Sequence, residues 1–146
     1  FSLGGQDDVL LLVMRVEALG RFLDTDDGSN LLTGVKRAQN ILRIEEKKDG
    51  RSYGDMYEKN MLKAKEEKSL AKAIEHTTSV AGKAIERDDF EAAMTALAEL
   101  RVPVDAFFDN VTVNIDDPSL RQNRLQLLSK IRDVTLQVAD FTRIAG

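Results

Sequence analysis

Apolar residues recur along this sequence every three or four positions, and that spacing constrains its fold more than any other feature. It is the spacing of an amphipathic α-helix, whereas alternation at every second residue would indicate a strand. Prolines, which interrupt helices, number only 2 in 146 residues. The single strand-like run, 111–115, has no evident partner strand and is predicted to be an extended connector. We therefore predict an all-α protein, an antiparallel bundle of about five helices, one of them broken at Pro103.

Residues that cap or interrupt helices mark the predicted helix ends. Asp88, with Glu91 three residues later, resembles a capping box and is predicted to be the N-cap of the fourth helix. Asp117 followed by Pro118 predicts the N-cap and first residue of the last helix. The predicted helices cover about 7–23, 28–46, 66–87, 88–101 and 118–140, with a short helix resuming at 104–110. The residues predicted to face inward from the first helix are Val9, Leu12, Val13, Val16, Leu19 and Leu23.

One segment, residues 47–65, departs from the helical pattern. It is polar and broken by glycines, so we predict a flexible loop within a single domain that spans residues 1–146. Tyr53 and Tyr57 lie in this segment among basic residues, which suits either stacking of a nucleic-acid base or two solvent-exposed tyrosines. Because the sequence begins at Phe1 and shows no signal-peptide pattern, we expect a piece of a longer protein.

The residue types that most enzyme sites need are scarce. There is no cysteine and His76 is the only histidine, which leaves little room for a disulfide, a zinc site or a Ser-His triad. No glycine-rich phosphate loop is present, and the longest apolar run, 9–14, is far shorter than the roughly 20 residues of a membrane span. We therefore expect no catalytic site, no metal and no cofactor in this chain, and no membrane association. One enzymatic alternative stays open, a hydrolase in which two carboxylates face one pocket.

Charge is distributed unevenly along the sequence. The net charge of −4 at pH 7 by itself argues against a nucleic-acid partner. Residues 33–73, however, contain 11 basic and 7 acidic side chains, and residues 119–146 contain 5 basic and 2 acidic ones. If the fold brings these two basic segments together, a positive surface forms on an acidic protein. Otherwise they are ordinary solvated helix faces.

Several stretches of the sequence resemble one known family. They are NLLTGVKRAQNILRIEE at 30–46, AELRVPVDAFFDNV at 98–111, and the segments 121–128 and 138–141. Through them, residues 7–144 resemble the C-terminal tRNA-binding domain of bacterial glycyl-tRNA synthetase β chains. The helical anticodon-binding fold of that domain also occurs in arginyl-tRNA synthetases.

The resemblance implies a function and a set of partners. The chain would read the anticodon loop of tRNA-Gly for a cytoplasmic, ATP-dependent glycine–tRNA ligase built of two kinds of subunit. ATP and magnesium would be bound by the α chain, and this chain would have no catalytic site. Its protein partners would be the remainder of the β chain and the α chain, in an α2β2 assembly. The alternative function is a helical protein-interaction domain that serves subunit assembly without direct base reading.

Cations and amides on helical faces are the residues that could read an anticodon. Lys36, Asn40 and Arg43 are spaced four and three residues apart, so they share one helical face and offer hydrogen bonds to unpaired bases. Lys47 and Lys48 are better placed for phosphates, which position RNA without reading its sequence. The predicted tRNA-binding residues are Lys36, Arg37, Asn40, Arg43, Lys47, Lys48, Arg121 and Arg124.

Some of the candidate residues have a structural alternative. Arg121 could pair with Asp116 or Asp117 instead of RNA, because the first turn of a helix is an unfavourable place for a cation. Phe107 and Phe108 could stack on bases, but aromatic residues after a proline-broken helix are more typical of a core.

Overall fold

Six α-helices and one short 3₁₀ helix make up the part of the chain that the structure describes, residues 3–113 and 115–138. The structure is a computed structural model, and side chains are described from residue 9 onward. The helices are α1 (Leu3–Leu23), α2 (Asp26–Asp49), α3 (Lys65–Glu86), α4 (Phe90–Ala98), α5 (Arg101–Asn110) and α6 (Pro118–Val138), with the 3₁₀ helix at Lys59–Met61. No strand occurs among the described residues, and the all-α prediction is confirmed.

The ends of α2 and α6 follow from local capping chemistry. Thr25 precedes α2 and its hydroxyl accepts a hydrogen bond from the backbone N–H of Gly28 at 3.0 Å. At the other end, α2 stops at Gly50, whose φ of 65° is the left-handed conformation that glycine adopts without strain. Asp117 caps α6 as predicted, because its Oδ1 accepts from the N–H groups of Ser119 and Leu120.

The predicted broken helix is confirmed as α4 and α5, but its details differ from the prediction. The break lies at residues 99–100 rather than at Pro103. Pro103 sits in the first turn of α5, where its missing N–H would have had no helical partner. The prediction that Asp88 caps α4 is wrong: Asp88 has φ 58°, and Asp89 accepts from the N–H of Ala92 at 3.1 Å.

The core lies where α5 and α6 are enclosed between α2 on one side and α3 on the other. α2 packs against α5 and α6, and α3 packs against α4, α5 and α6. α2 passes close to α5 at Gly34, where a Cβ atom would lie 2.8 Å from Cγ1 of Val104. The largest fully buried apolar side chains are Leu31, Val35, Leu42, Leu70, Leu97, Leu100, Phe107, Leu125, Leu127, Leu128 and Ile131.

α1 meets this body mainly through its second half. Ala18, Leu19 and Phe22 are buried, and the helix packs against α2 and α4. Four residues predicted to face inward are exposed instead, because the first half of α1 extends beyond its packing partners. Six large apolar side chains between residues 9 and 16 are 41 to 63% exposed: Val9, Leu10, Leu12, Val13, Met14 and Val16. No helix among the described residues has the length and apolar character needed to cross a membrane.

The connection between α2 and α3 is irregular but anchored. It is shorter than the predicted 47–65, because α2 continues through Asp49. Both interpretations of its tyrosines are wrong, since Tyr53 and Tyr57 are buried. The Tyr53 hydroxyl donates to Asp49 at 2.6 Å, and the Tyr57 hydroxyl donates to Glu75 at 3.3 Å. The flexibility of this segment stays a prediction.

These two tyrosines, the only ones in the chain, give a pH-dependent test of the fold. Burial, reinforced by Glu75, raises the pKa of Tyr57 to about 12, and burial together with Asp49 raises the pKa of Tyr53. Because the folded-state pKa of Tyr57 is raised from 10.0, it contributes stability below pH 10 that is lost as the pH rises toward 12. In an alkaline titration we expect the tyrosinate absorbance to appear at a higher pH than for free tyrosine. The variant Tyr57→Phe should lack the part of this absorbance that appears at the highest pH. Titration of both groups at the ordinary value would contradict the buried placement.

Candidate nucleic-acid interface

The exposed face of α2 carries most of the predicted RNA-binding residues. Lys36, Asn40, Arg43 and Lys47 follow one another at helical spacing and are all exposed. Arg43 donates to the amide oxygen of Asn40 at 3.4 Å. The basic residues Lys36, Arg37, Arg43, Lys47 and Lys48 of this helix form no ion pair with any described residue. We call these six residues the α2 basic face: Lys36, Arg37, Asn40, Arg43, Lys47 and Lys48.

This face is cationic because the carboxylates in the second half of the same helix are engaged by other groups of the protein. Glu45 is buried and accepts a hydrogen bond from Arg121 at 2.7 Å. Asp49 pairs with Arg121 at 2.7 Å, and the carboxylate of Glu46 accepts the backbone N–H of Tyr53 at 2.8 Å. Hydrogen bonds from Tyr53 and then Arg121 lower the pKa of Asp49, so it stays ionised. The second half of α2 therefore satisfies its negative charges internally and presents its positive charges to solvent.

Arg121 forms ion pairs, as its structural alternative required, and Glu45 and Asp49 are partners in them. Its guanidinium lies between Glu45 and Asp49, and its side chain is 17% exposed. The hydrogen bonds that Arg121 donates to these two carboxylates raise its pKa. Arg121 thus joins α6 to the end of α2, and the RNA contact predicted for it stays a prediction.

Arg124 has a similar structural position one helical turn further along α6. Its side chain is 11% exposed, and Nη2 lies 3.0 Å from Oε1 of Glu67, whose side chain is fully buried. Nη1 donates to the backbone oxygen of Thr112 at 2.7 Å. The same Oε1 of Glu67 accepts the N–H of Ala64 at the start of α3. Arg124 therefore fastens α6 to α3 and to the connector after α5, and its predicted RNA contact also stays a prediction.

The cations of the two basic segments approach one another where α6 meets the end of α2. Arg121 reaches the last turn of that helix, beside Lys48. Further along α6, Lys130 donates to the backbone oxygen of Gly54 and lies 3.5 Å from Asp133. Arg132 bonds to Ser129 and also lies near Asp133. The cationic surface is therefore mainly the α2 basic face rather than a shelf shared equally by two helices.

A groove borders the α2 basic face, and the aromatic side chain of Phe108 lines it. The groove has a volume of about 390 Å³ and lies between α2 and residues 108–113. Phe107 is fully buried, as the core interpretation predicted. Phe108 is half-buried, and the guanidinium carbon of Arg37 lies 4.5 Å from its ring centroid. Adjacent aromatic residues in a helix point about 100° apart, so the sequence indicates that only one enters the core, but not which one.

Carboxylates also line a second cavity, of about 470 Å³, between α3 and α6. Glu75 and Asp133 both reach it, as the hydrolase alternative requires. Each is paired with a lysine, however: Glu75 with Lys59 at 3.0 Å and Asp133 with Lys130 at 3.5 Å. Both carboxylates are therefore engaged in ion pairs within the protein, as surface carboxylates ordinarily are. His76 is exposed near Glu99, and the described residues contain no metal-binding cluster of three or more side chains.

Known proteins resemble this chain over its whole length. Residues 31–140 match the family model described as the DALR anticodon binding domain. The glycine–tRNA ligase beta subunit of Rhodospirillum centenum is 53% identical over 147 residues, which cover 100% of this chain. The beta subunit of Phenylobacterium zucineum is 52% identical over 97% of the chain, and that of Cereibacter sphaeroides 48% over 99%. The chain spans 21% of the length of each of these relatives.

Proposed function

Because this chain belongs to the DALR anticodon binding domain family, we propose that it reads the anticodon loop of tRNA-Gly as part of a glycine–tRNA ligase beta subunit. The observation that carries the proposal is the α2 basic face. Its cations form no ion pair with any described residue, on a protein whose net charge is −4. Unpaired cations on a rigid helix attract phosphates, and phosphate contacts make RNA binding strongly salt-dependent.

The chemistry of the α2 basic face suits the bases of such a loop. Anticodon bases are unpaired, so their Watson–Crick edges are open to hydrogen bonding. Glycine anticodons share two cytosines, each with one amino donor and two acceptors. Asn40 offers both a donor and an acceptor, and Arg43 beside it offers donors. Lys36 and Lys47, on the same line of the helix, are placed to hold the flanking phosphates.

Base reading is tested by matching a protein change with an RNA change. We expect Arg43→Ala to weaken binding to a tRNA-Gly anticodon stem–loop by about 1–3 kcal/mol, because a base-edge contact is lost. Replacing the anticodon cytosines with uracil should weaken binding by the wild-type chain and have a smaller additional effect on the variant. Equal affinity for the cytosine and uracil loops would rule out base reading at this face.

The wider setting of the chain is also part of the proposal. We propose that the parent is an ATP-dependent ligase in which the α chain binds ATP and magnesium and performs aminoacylation. This chain would work in the cytoplasm beside the remainder of the β chain, within an α2β2 assembly. The identity of 47–53% to glycine–tRNA ligase beta subunits supports these proposals, and the RNA contacts would be this chain's contribution.

A second candidate function is assembly of the ligase without base reading. It is favoured by the exposed apolar residues of the first half of α1, since a helix that is apolar on most sides is usually buried. Gel filtration of the chain with the remainder of the β subunit, in the absence of RNA, measures this function directly. Stable association that Val13→Glu weakens would support it, and RNA binding unaffected by Val13→Glu would show that the two functions use different surfaces.

A further inference from the structure

The groove beside the α2 basic face contains a fixed aromatic ring with a planar cation on it. Phe108 is held from behind by Phe107, whose ring is 5.7 Å away at 75°, in an edge-to-face arrangement. Since Phe107 is fully buried, it fixes the position of Phe108. One face of the Phe108 ring lies under the guanidinium of Arg37, whose carbon is 4.5 Å from the ring centroid. A flat π-system is thus presented at the surface with its geometry already set.

The remaining walls of the groove are mostly apolar and in part exposed. Ile41 and Ile44 line it from α2, and Val111 and Val113 line it from the connector. Ile44 is 56% exposed, although it lies on a helix face that is otherwise charged. Glu45 also lines the groove, but its carboxylate is held by Arg121. The groove therefore offers apolar walls and one cation, without a free anion that would repel RNA.

From this arrangement we propose that the groove receives one unpaired base of the bound RNA loop, stacked on the Arg37–Phe108 pair and packed against Ile41 and Ile44. The inference rests on the proposed function and adds the position of a base to it. Bases stack on aromatic rings and on guanidinium planes alike, because every base has a flat π-face. The cations of the neighbouring helical line, Lys36 and Lys47, would hold the phosphates on either side of the inserted base.

Two variants separate stacking from simple charge attraction. Arg37→Lys retains the positive charge and removes the planar group, and Phe108→Leu retains an apolar side chain and removes the ring. We expect each to lower the affinity for the tRNA-Gly anticodon stem–loop about tenfold, with an unchanged dependence on salt. Arg87→Lys, at an exposed arginine after α3, is the matched control and should have no effect. Thermal unfolding verifies that Phe108→Leu is folded, and Arg37→Lys alters only an exposed side chain.

A series of abasic loops then locates the base. Each loop nucleotide in turn loses its base, and the affinity loss caused by Phe108→Leu is measured again. At the inserted nucleotide we expect that loss to disappear, because the ring has nothing left to stack on; at other positions it should persist. If both variants bind like the wild-type chain, or if their loss persists at every position, the groove holds no base and this inference is wrong. If the wild-type chain binds no RNA at low salt, the proposed function falls as well.

Discussion

Replacement of Arg124 with alanine is expected to destabilise the fold by about 3–5 kcal/mol, because it leaves a buried charge without a partner. The charge is that of Glu67, whose side chain is fully buried and lies 3.0 Å from the Arg124 guanidinium. The variant also frees the backbone oxygen of Thr112, which Arg124 binds at 2.7 Å. Urea unfolding followed by the circular dichroism of the helices measures the loss. The sequence predicts an RNA contact for Arg124. Because unfolding is measured without RNA, the loss of stability reports its structural role alone.

A double variant shows whether the unpaired carboxylate of Glu67 causes the loss of stability. Arg124→Leu combined with Glu67→Gln removes both charges, and the glutamine oxygen can still accept the N–H of Ala64. We expect this pair to recover much of the stability, because an apolar replacement of a buried ion pair is often neutral. Oε2 of Glu67 and Nε of Arg124 have no hydrogen-bond partner, so the native pair is itself incompletely satisfied. An unfolding free energy unchanged in Arg124→Ala would contradict the structural role.

The helices themselves could be predicted because their signals are local. The apolar spacing of α2 places Leu31, Val35, Ala38 and Leu42 on one side, and these residues are buried as predicted. Caps such as Asp117 depend on neighbours within one turn, so they too can be identified in the sequence. In α1 the spacing correctly predicts a helix but not its surroundings. Periodicity identifies an apolar face, whereas the partner that covers the face depends on the tertiary arrangement.

The candidate interface shows the same division between local and long-range information. The line of Lys36, Asn40 and Arg43 could be predicted from helical spacing alone, and it is exposed. The partners of Arg121, by contrast, lie more than 70 residues earlier, at Glu45 and Asp49. No local pattern indicates that these carboxylates are paired with Arg121 and leave α2 with a cationic surface. The charge of a sequence segment therefore indicates a basic surface, whereas the tertiary structure determines which cations compose it.

The largest effect on RNA binding should come from neutralising the α2 basic face. We expect Lys36→Gln, Arg43→Gln and Lys47→Gln together to lower the affinity for tRNA-Gly about a hundredfold or more at moderate salt, because several phosphate and base contacts are lost at once. The slope of log affinity against log salt should fall by about 1.4, the value for the two phosphate contacts of Lys36 and Lys47 to a single strand. Filter binding or fluorescence anisotropy across a salt series measures both quantities. Stability should change little, since these side chains are exposed.

A matched triple variant on α3 distinguishes a specific surface from overall charge. Lys68→Gln, Lys72→Gln and Lys83→Gln change the net charge by the same amount, and these lysines are also exposed without ion pairs to described residues. α3 packs against α4, α5 and α6 and has no comparable contact with α2, so these lysines lie on a different helix from the α2 basic face. If the two triple variants lose affinity equally, RNA is attracted by net charge and the α2 basic face has no special role. If only the α2 variant loses affinity and salt dependence, the phosphate contacts belong to that face, because the general electrostatic attraction is reduced equally in both variants.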